Sequence, residues 1–318
     1  MSETLRYILI IVISLVVLIG IASGMIYVER RLLALWQDRH GPNRVGPYGI
    51  LQVVADIVKI FTKEDWIPPF ADKTVFVLAP TVIMIAVLSA FAVIPFGPGI
   101  MISDLNIGLL FFLGTSSLGV YSIVLAGWAS NSKYSLLGSM RAAAQMLSYE
   151  VFMALSLMGV VLMAGSLNLN DIVLAQQKIW FVIPQILGFI TFLIAGLAET
   201  RRIPFDLPES ESSLVAGYHS EYSGMKFGMF FVGEYLGITL ISAMIATLFF
   251  GGWLGPAPIP GVIWFLIKTS IFLALFILIR GALPRPRPDQ LMSMGWKIML
   301  PLTLFNLLIT GGILLARG

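Results

Sequence analysis

Eight long apolar segments alternate with polar segments rich in glycine and proline along the chain. Each apolar segment has about the 20 residues that a helix needs to cross the hydrocarbon core of a membrane. No strand-length alternation of apolar and polar residues recurs, and backbone groups in lipid must be hydrogen-bonded within their own helix. The pattern predicts an all-α membrane protein, one polytopic domain over residues 1–318. Its eight transmembrane helices are predicted at 5–27, 74–95, 105–127, 141–165, 180–198, 227–250, 262–283 and 296–316.

A shorter helical pattern lies in the long loop that we assign to residues 29–73. Between Tyr48 and Lys63, apolar residues cover a wide helical face and leave one narrow polar stripe. The stripe consists of Gln52, Asp56, Lys59 and Lys63. This pattern predicts an amphipathic helix, lying at the membrane surface or wedged among the spans. The pattern alone favours a passive interfacial anchor over a functional role.

The composition excludes several classes of protein. Of the 318 residues, 58% are hydrophobic and only 12% are charged, whereas soluble domains carry about 25% charged residues. A water-soluble fold, a nucleic-acid-binding protein and a disordered chain are therefore excluded. The absence of cysteine excludes a disulfide or a thiolate-bound cluster in this chain. With only His40 and His219 as histidines, we expect no metal site.

The distribution of positive charge predicts the orientation of the chain. Sixteen of the twenty lysine and arginine residues lie in segments after the odd-numbered predicted spans. The opposite side has Arg6, Lys178 and Arg317. Cytoplasmic loops carry an excess of positive charge, so we expect both termini on the periplasmic side of a bacterial inner membrane. A mitochondrial inner membrane is the alternative, and function is expected on the long, charged inner loops.

Ionisable residues inside the predicted spans suggest a function. Glu150, Glu234 and Lys268 fall within spans, and Glu199 lies at the inner end of the fifth. Such groups are costly in lipid and usually functional. We expect them to converge on a proton or ion path, although structural pairing between helices remains an alternative.

The inner segment from residue 199 to residue 224 is unusually acidic. Its acids are Glu199, Asp206, Glu209, Glu211 and Glu221. Acids in an inner loop oppose the positive-inside trend, which favours a loop that collects protons. The alternative is a solvated loop tied to Arg201 and Arg202.

Five long blocks of this sequence resemble one family. They include ERRLLALWQDRHGPNRVGP within residues 29–65, AETRRIPFDLPESE at 198–211 and EYSGMKFGMFFVGEY at 221–235, together with residues 127–150 and 283–297. The family is the quinone-site membrane subunit of proton-pumping NADH:quinone oxidoreductase, respiratory complex I, known as the H subunit in bacteria. The resemblance covers nearly the whole chain in the expected order.

The resemblance implies a subunit that forms the access tunnel for quinone and couples quinone reduction to proton translocation. Its partners would be peripheral-arm subunits, which carry FMN and the iron–sulfur clusters, and small membrane-arm subunits, with lipid and quinone as further ligands. The implied proton path comprises Glu150, Glu199, Glu234, Asp206, Glu209, Glu211, Glu221 and Lys268. The implied quinone tunnel includes Glu29, Arg30, Asp56, Arg141 and Arg280.

The sequence departs from the family pattern at two positions. Ser213 stands where the family usually has a third loop acid, and Arg201 where it often has a neutral residue. The first departure questions any mechanism that needs three acids in series on the loop.

Two other functions remain open: the equivalent subunit of a membrane-bound hydrogenase or other-donor quinone reductase, and a stand-alone cation/proton antiporter.

Overall fold

A computed structural model describes residues 3–207 and 215–317, and helices dominate this part of the chain. Within it, seven helices are long and apolar enough to cross a membrane. These are α1 (Glu3–Trp36), α3 (Lys73–Ala90), α4 (Gly108–Ala129), α5 (Lys133–Ala164), α8 (Gly224–Phe249), α9 (Gly261–Ala282) and α10 (Pro288–Met294), which continues through a π turn into α11 (Leu300–Arg317). Three shorter helices are α2 (Gln52–Thr62), α6 (Leu169–Ala175) and α7 (Ile186–Glu199). The predicted all-α membrane fold is confirmed.

The first helix is longer than predicted. It continues past Tyr27 to Trp36, so Glu29 and Arg30 are helical rather than part of the first inner loop. The segment from 29 to 36 contains good helix formers and no glycine or proline, which explains the continuation. The amphipathic helix predicted in this loop is present as α2.

The fifth predicted span is helical only in its second part. α7 has 14 residues, or about 21 Å of helix, less than the roughly 30 Å of a hydrocarbon core. The preceding residues, 181–185, form turns. Gln176 accepts hydrogen bonds from the backbone N–H groups of Phe181 (3.2 Å) and Gly251 (2.9 Å). Protein groups therefore satisfy this non-helical backbone, as membrane proteins require.

α8 is the central helix of the described bundle. It is the most buried of the seven long helices, and α1, α2, α3, α6, α7 and α9 all contact it. Glycines permit this close packing. A Cβ on Gly228 would lie 3.0 Å from Ile60 of α2, and one on Gly233 would lie 3.3 Å from Ile83 of α3. An acidic residue on α8, such as Glu234, is consequently surrounded by protein rather than lipid.

Candidate functional site

A cavity of about 720 Å³ lies where the C-terminal part of α1, the N-terminal part of α8 and the end of α9 meet the segment after α7. Its lining is rich in arginine and aromatic side chains. The charged and aromatic lining residues are Glu29, Arg30, Arg39, His40, Arg201, Arg202, Asp206, Tyr218, His219, Phe227, Phe230, Phe231, Glu234, Tyr235, Arg280 and Arg285. This volume lies within the range of small-molecule sites.

A buried ion-pair network forms one wall of this cavity. Arg202 lies at its centre, with Nη1 3.2 Å from Glu29 Oε1 and Nε 2.6 Å from Glu234 Oε1. Glu29 also pairs with Arg280, and the Arg202 guanidinium lies 4.5 Å from the centre of the Tyr235 ring. Since buried charges are stable only when paired, this network joins α1, the segment after α7, α8 and α9.

Ion pairs at the edges of the cavity connect its walls to neighbouring segments. Arg30 on α1 lies 2.6 Å from Asp56 on α2, and Gln52 also donates to Asp56 at 3.1 Å. Arg285 pairs with Asp206 at 2.8 Å. These contacts place α2 and the segment before α10 beside the cavity.

The segment after α7 is held by side chains of α5. The Gln145 amide donates to the carbonyls of Ala198 (2.8 Å) and Phe205 (2.9 Å). Ser135 donates to the carbonyl of Tyr218 at 3.0 Å. Tyr222 stacks on Phe76, with ring centres 3.9 Å apart. Burial raises the pKa of the Tyr222 hydroxyl, which therefore stays a neutral donor to the Phe76 carbonyl at 3.2 Å.

Gly138 of α5 sets how closely this segment approaches the helix. A Cβ at this position would lie 2.7 Å from Gly217 Cα and 2.9 Å from the backbone nitrogen of Tyr218. Gly138→Val should therefore displace Tyr218 and lower the free energy of unfolding of the subunit by about 1–3 kcal/mol. The thermal midpoint of the assembled complex should fall accordingly. Gly114→Val on α4 is the matched control, because a Cβ there meets no atom within 4 Å. Equal midpoints for the two variants would contradict this role.

A second, narrower space lies deeper in the bundle and shares Arg201 and Glu234 with the lining of the cavity. This crevice of about 60 Å³ is lined from α3, α4, α5, α7 and α8, and its polar lining residues are Thr115, Ser116, Glu199, Thr200, Arg201 and Glu234. Glu199 interacts electrostatically with Glu150 and Arg201, and Glu150 faces the Ser117 hydroxyl. The structure thus places Glu199 and Glu234 on one crevice and Glu150 beside Glu199.

Two carboxyl oxygens in this region have no protein partner among the described residues. They are Oε1 of Glu150 and Oε2 of Glu199, both buried. Buried polar atoms are normally satisfied by protein or ordered water. The crevice has a mainly apolar lining in which these polar groups are set, and its volume exceeds what one water molecule requires, so a water molecule has room beside Glu199.

Lys268 lies apart from the three acids. Its ammonium donates to the carbonyls of Phe250, Gly252 and Leu254 at 2.6, 2.9 and 2.5 Å. It also lies 4.8 Å from the centre of the Trp180 ring. Phe250 follows Glu234 by sixteen residues, about 24 Å along α8. The structure therefore does not bring Lys268 to the acids with which it was expected to converge.

Other predicted site residues occupy varied positions. Arg141 is exposed on α5, and neither it nor Glu221 lines the cavity. Glu209, Glu211 and Ser213 lie outside the described residues. The sequence interpretation overlooked Gln145, although a glutamine inside an apolar span was an available signal. It also overlooked the aromatic residues of the cavity, which composition does not distinguish from ordinary core residues.

Comparison with known proteins agrees with the resemblance. The profile of the NADH dehydrogenase family matches residues 8–311. The chain is 64% identical over 293 residues to the H subunit of the NADH-quinone oxidoreductase of Methylococcus capsulatus (strain ATCC 33009 / NCIMB 11132 / Bath), an alignment that covers 92% of this chain and 93% of the relative. The resemblance predicted from the five sequence blocks is confirmed: the chain belongs to the NADH dehydrogenase family.

Proposed function

We propose that this chain, as the H-type membrane subunit of an NADH-quinone oxidoreductase, binds quinone in the large cavity and couples its reduction to proton translocation. The main observation in support is that Glu234 lines both the cavity and the crevice, and that Glu199 also lines the crevice. The cavity supplies hydrogen-bond donors and aromatic surfaces suited to a polar ring with carbonyl oxygens. Asp206, Arg30, Asp56 and Arg280 belong to its walls or edges.

The electron carriers belong to partner subunits in this proposal. The chain has no cysteine with which to bind an iron–sulfur cluster, so FMN and the clusters reside in the peripheral arm. Electrons reach the quinone from that side, and this chain positions the quinone and responds to its charge. The alternative of a hydrogenase or other-donor quinone reductase differs in the electron donor, which an assay of the purified complex identifies. The antiporter alternative involves no electron donor, and ion transport by the isolated chain in liposomes would support it.

Coupling follows from the position of the buried ion pairs. Quinone reduction consumes two electrons and two protons, so the charge in the cavity changes at each step. In a medium of low dielectric constant, such a change acts strongly on nearby ionised groups. The changed charge alters the electrostatic attraction between Arg202 and its partners Glu29 and Glu234. Glu234 then exchanges a proton with Glu199 and, beyond it, Glu150.

Glutamine variants of Glu199 and Glu234 test the proposal in the complete complex in inverted membrane vesicles. Each variant should abolish proton pumping and slow NADH:quinone turnover at least about tenfold, equivalent to about 1.4 kcal/mol. Electron transfer from NADH to ferricyanide should persist, because the peripheral arm is intact. Asp289→Asn is the control, since that carboxylate is exposed and pairs with Arg287. A wild-type ratio of protons to electrons in both variants would refute the proposal.

A further inference from the structure

Arg201 lies at the junction of the two spaces. Among the described residues, only Arg201 and Glu234 line both the cavity and the crevice. The residue is buried, and its charge acts on Glu199, the acid of the crevice. A buried cation at this point faces the route by which a proton would pass between the two acids.

The backbone at Arg201 is not one that favours arginine. Its φ angle is +53°, in the left-handed region that residues with a side chain rarely adopt and that asparagine tolerates better. The segment is nevertheless held in place, since Gln145 binds the carbonyls on both sides of it, at Ala198 and Phe205. Local conformation therefore gives no reason for an arginine here.

The guanidinium is oriented by Tyr218. Nη1 of Arg201 donates to the Tyr218 hydroxyl, and the guanidinium carbon lies 5.1 Å from the centre of that ring. Tyr218 is itself fixed by the Ser135 bond to its carbonyl and by an edge contact with Phe230. A rigid aromatic support thus holds the guanidinium of Arg201, which lines the same crevice as Glu199.

We propose that Arg201 is a positioning residue for proton transfer: its guanidinium stabilises the ionised form of Glu199, which makes Glu199 the acceptor for the proton that leaves Glu234. The O–H bond on Glu234 breaks, an O–H bond on Glu199 forms, and no electron moves. Arg202 then stabilises the carboxylate left on Glu234. This inference rests on the proposed function.

Several charged or titratable groups share this environment. Burial and, to a smaller extent, Glu150 on α5 oppose ionisation of Glu199, whereas Arg201 favours it. Arg202, Tyr218, His219 and Glu234 contribute from the segment after α7, the 217–219 turn and α8. Loss of Arg201 removes the attraction and leaves the repulsion from Glu150 in place. Glu199 then ionises only at a higher pH.

The test is the pH profile of NADH:quinone turnover in the complete complex. Arg201→Asn suits the left-handed backbone and removes the charge, and it should move the acidic limb of the profile upward by about one pH unit or more. Arg201→Lys keeps the charge and should leave the limb near its wild-type position, whatever its effect on maximal turnover. Tyr218→Phe removes the hydroxyl to which the Arg201 guanidinium donates. It should therefore move the acidic limb in the same direction, by less than Arg201→Asn does. Arg287→Asn removes an exposed arginine outside both spaces and should leave the profile unchanged.

The outcomes separate the two proposals. A wild-type profile in both Arg201→Asn and Tyr218→Phe would overturn the role of Arg201. If the Arg201→Asn complex does not assemble, a wild-type pH profile in Tyr218→Phe alone would also overturn the role of Arg201. If the Glu199→Gln variant still lost pumping in those cases, the proposed function would stand without Arg201. If Glu199→Gln pumped normally, the proposed function itself would fail.

Discussion

Replacement of Arg202 by methionine is expected to abolish quinone reductase activity and to destabilise the subunit by about 3–5 kcal/mol. Arg202 is the common partner of Glu29 and Glu234, at 3.2 and 2.6 Å. Its loss removes one of the two ion pairs described for Glu29 and removes the Arg202 contact from Glu234. Removal of one partner from a buried pair is costly because the remaining charge is uncompensated. The thermal midpoint of the detergent-solubilised complex and its quinone reductase activity measure the effect.

A second substitution identifies the cause. Addition of Glu234→Gln to Arg202→Met removes a buried carboxylate that has lost its ion pair with Arg202, so the double variant should be more stable than Arg202→Met alone. The comparison for stability is Arg285→Met, whose ion pair with Asp206 is partly exposed. Partly exposed pairs contribute about 0–1 kcal/mol. A wild-type thermal midpoint for Arg202→Met would show that the network does not hold these helices together.

The sequence was most informative where a long apolar run encodes one complete helix. Seven such runs became long helices because their periodicity and length leave little alternative. The run from Trp180 to Ala198 did not, since its first residues form turns in which the Phe181 N–H donates to Gln176 and the Val182 N–H donates to the Phe249 carbonyl. The Phe249 carbonyl is distant in sequence, and its contact with this run cannot be inferred from hydropathy. Tertiary hydrogen bonding overrode a local pattern that was compatible with a longer helix.

The candidate site was only partly predictable for a related reason. Glu29, Glu234 and Arg280 were identifiable as costly charges or through the resemblance, and they do meet at one cavity. The central role of Arg202 depends on which carboxylates surround it, and sequence spacing does not encode that. Only the alternative interpretation gave Arg202 a role, as a tie for a solvated acidic loop, whereas its observed partners lie on α1 and α8. Charge in a span indicates importance, but only packing identifies the partner.

Lys268 illustrates the same limit and suggests a large effect of substitution. Lys268→Met is expected to lower stability by about 3 kcal/mol or more, because hydrogen bonds to charged groups contribute about 1.5–3 kcal/mol each. Three carbonyls after α8 would lose their shared donor, at the end of a helix where positive charge is favourable. Lys297→Met provides the control, since Lys297 is exposed and such substitutions usually change stability by less than about 0.5 kcal/mol.

The same variant decides between a structural role for Lys268 and the proton path suggested by the sequence. The separation from Glu234 of about 24 Å along α8 and the three carbonyl bonds favour a cap on the loop after that helix. If the cap is its role, activity in vesicles falls in step with the amount of assembled complex, and the thermal midpoint falls as well. A loss of pumping per assembled complex at a wild-type midpoint would instead assign Lys268 to the proton path, because a group that only holds carbonyls cannot change coupling without changing stability.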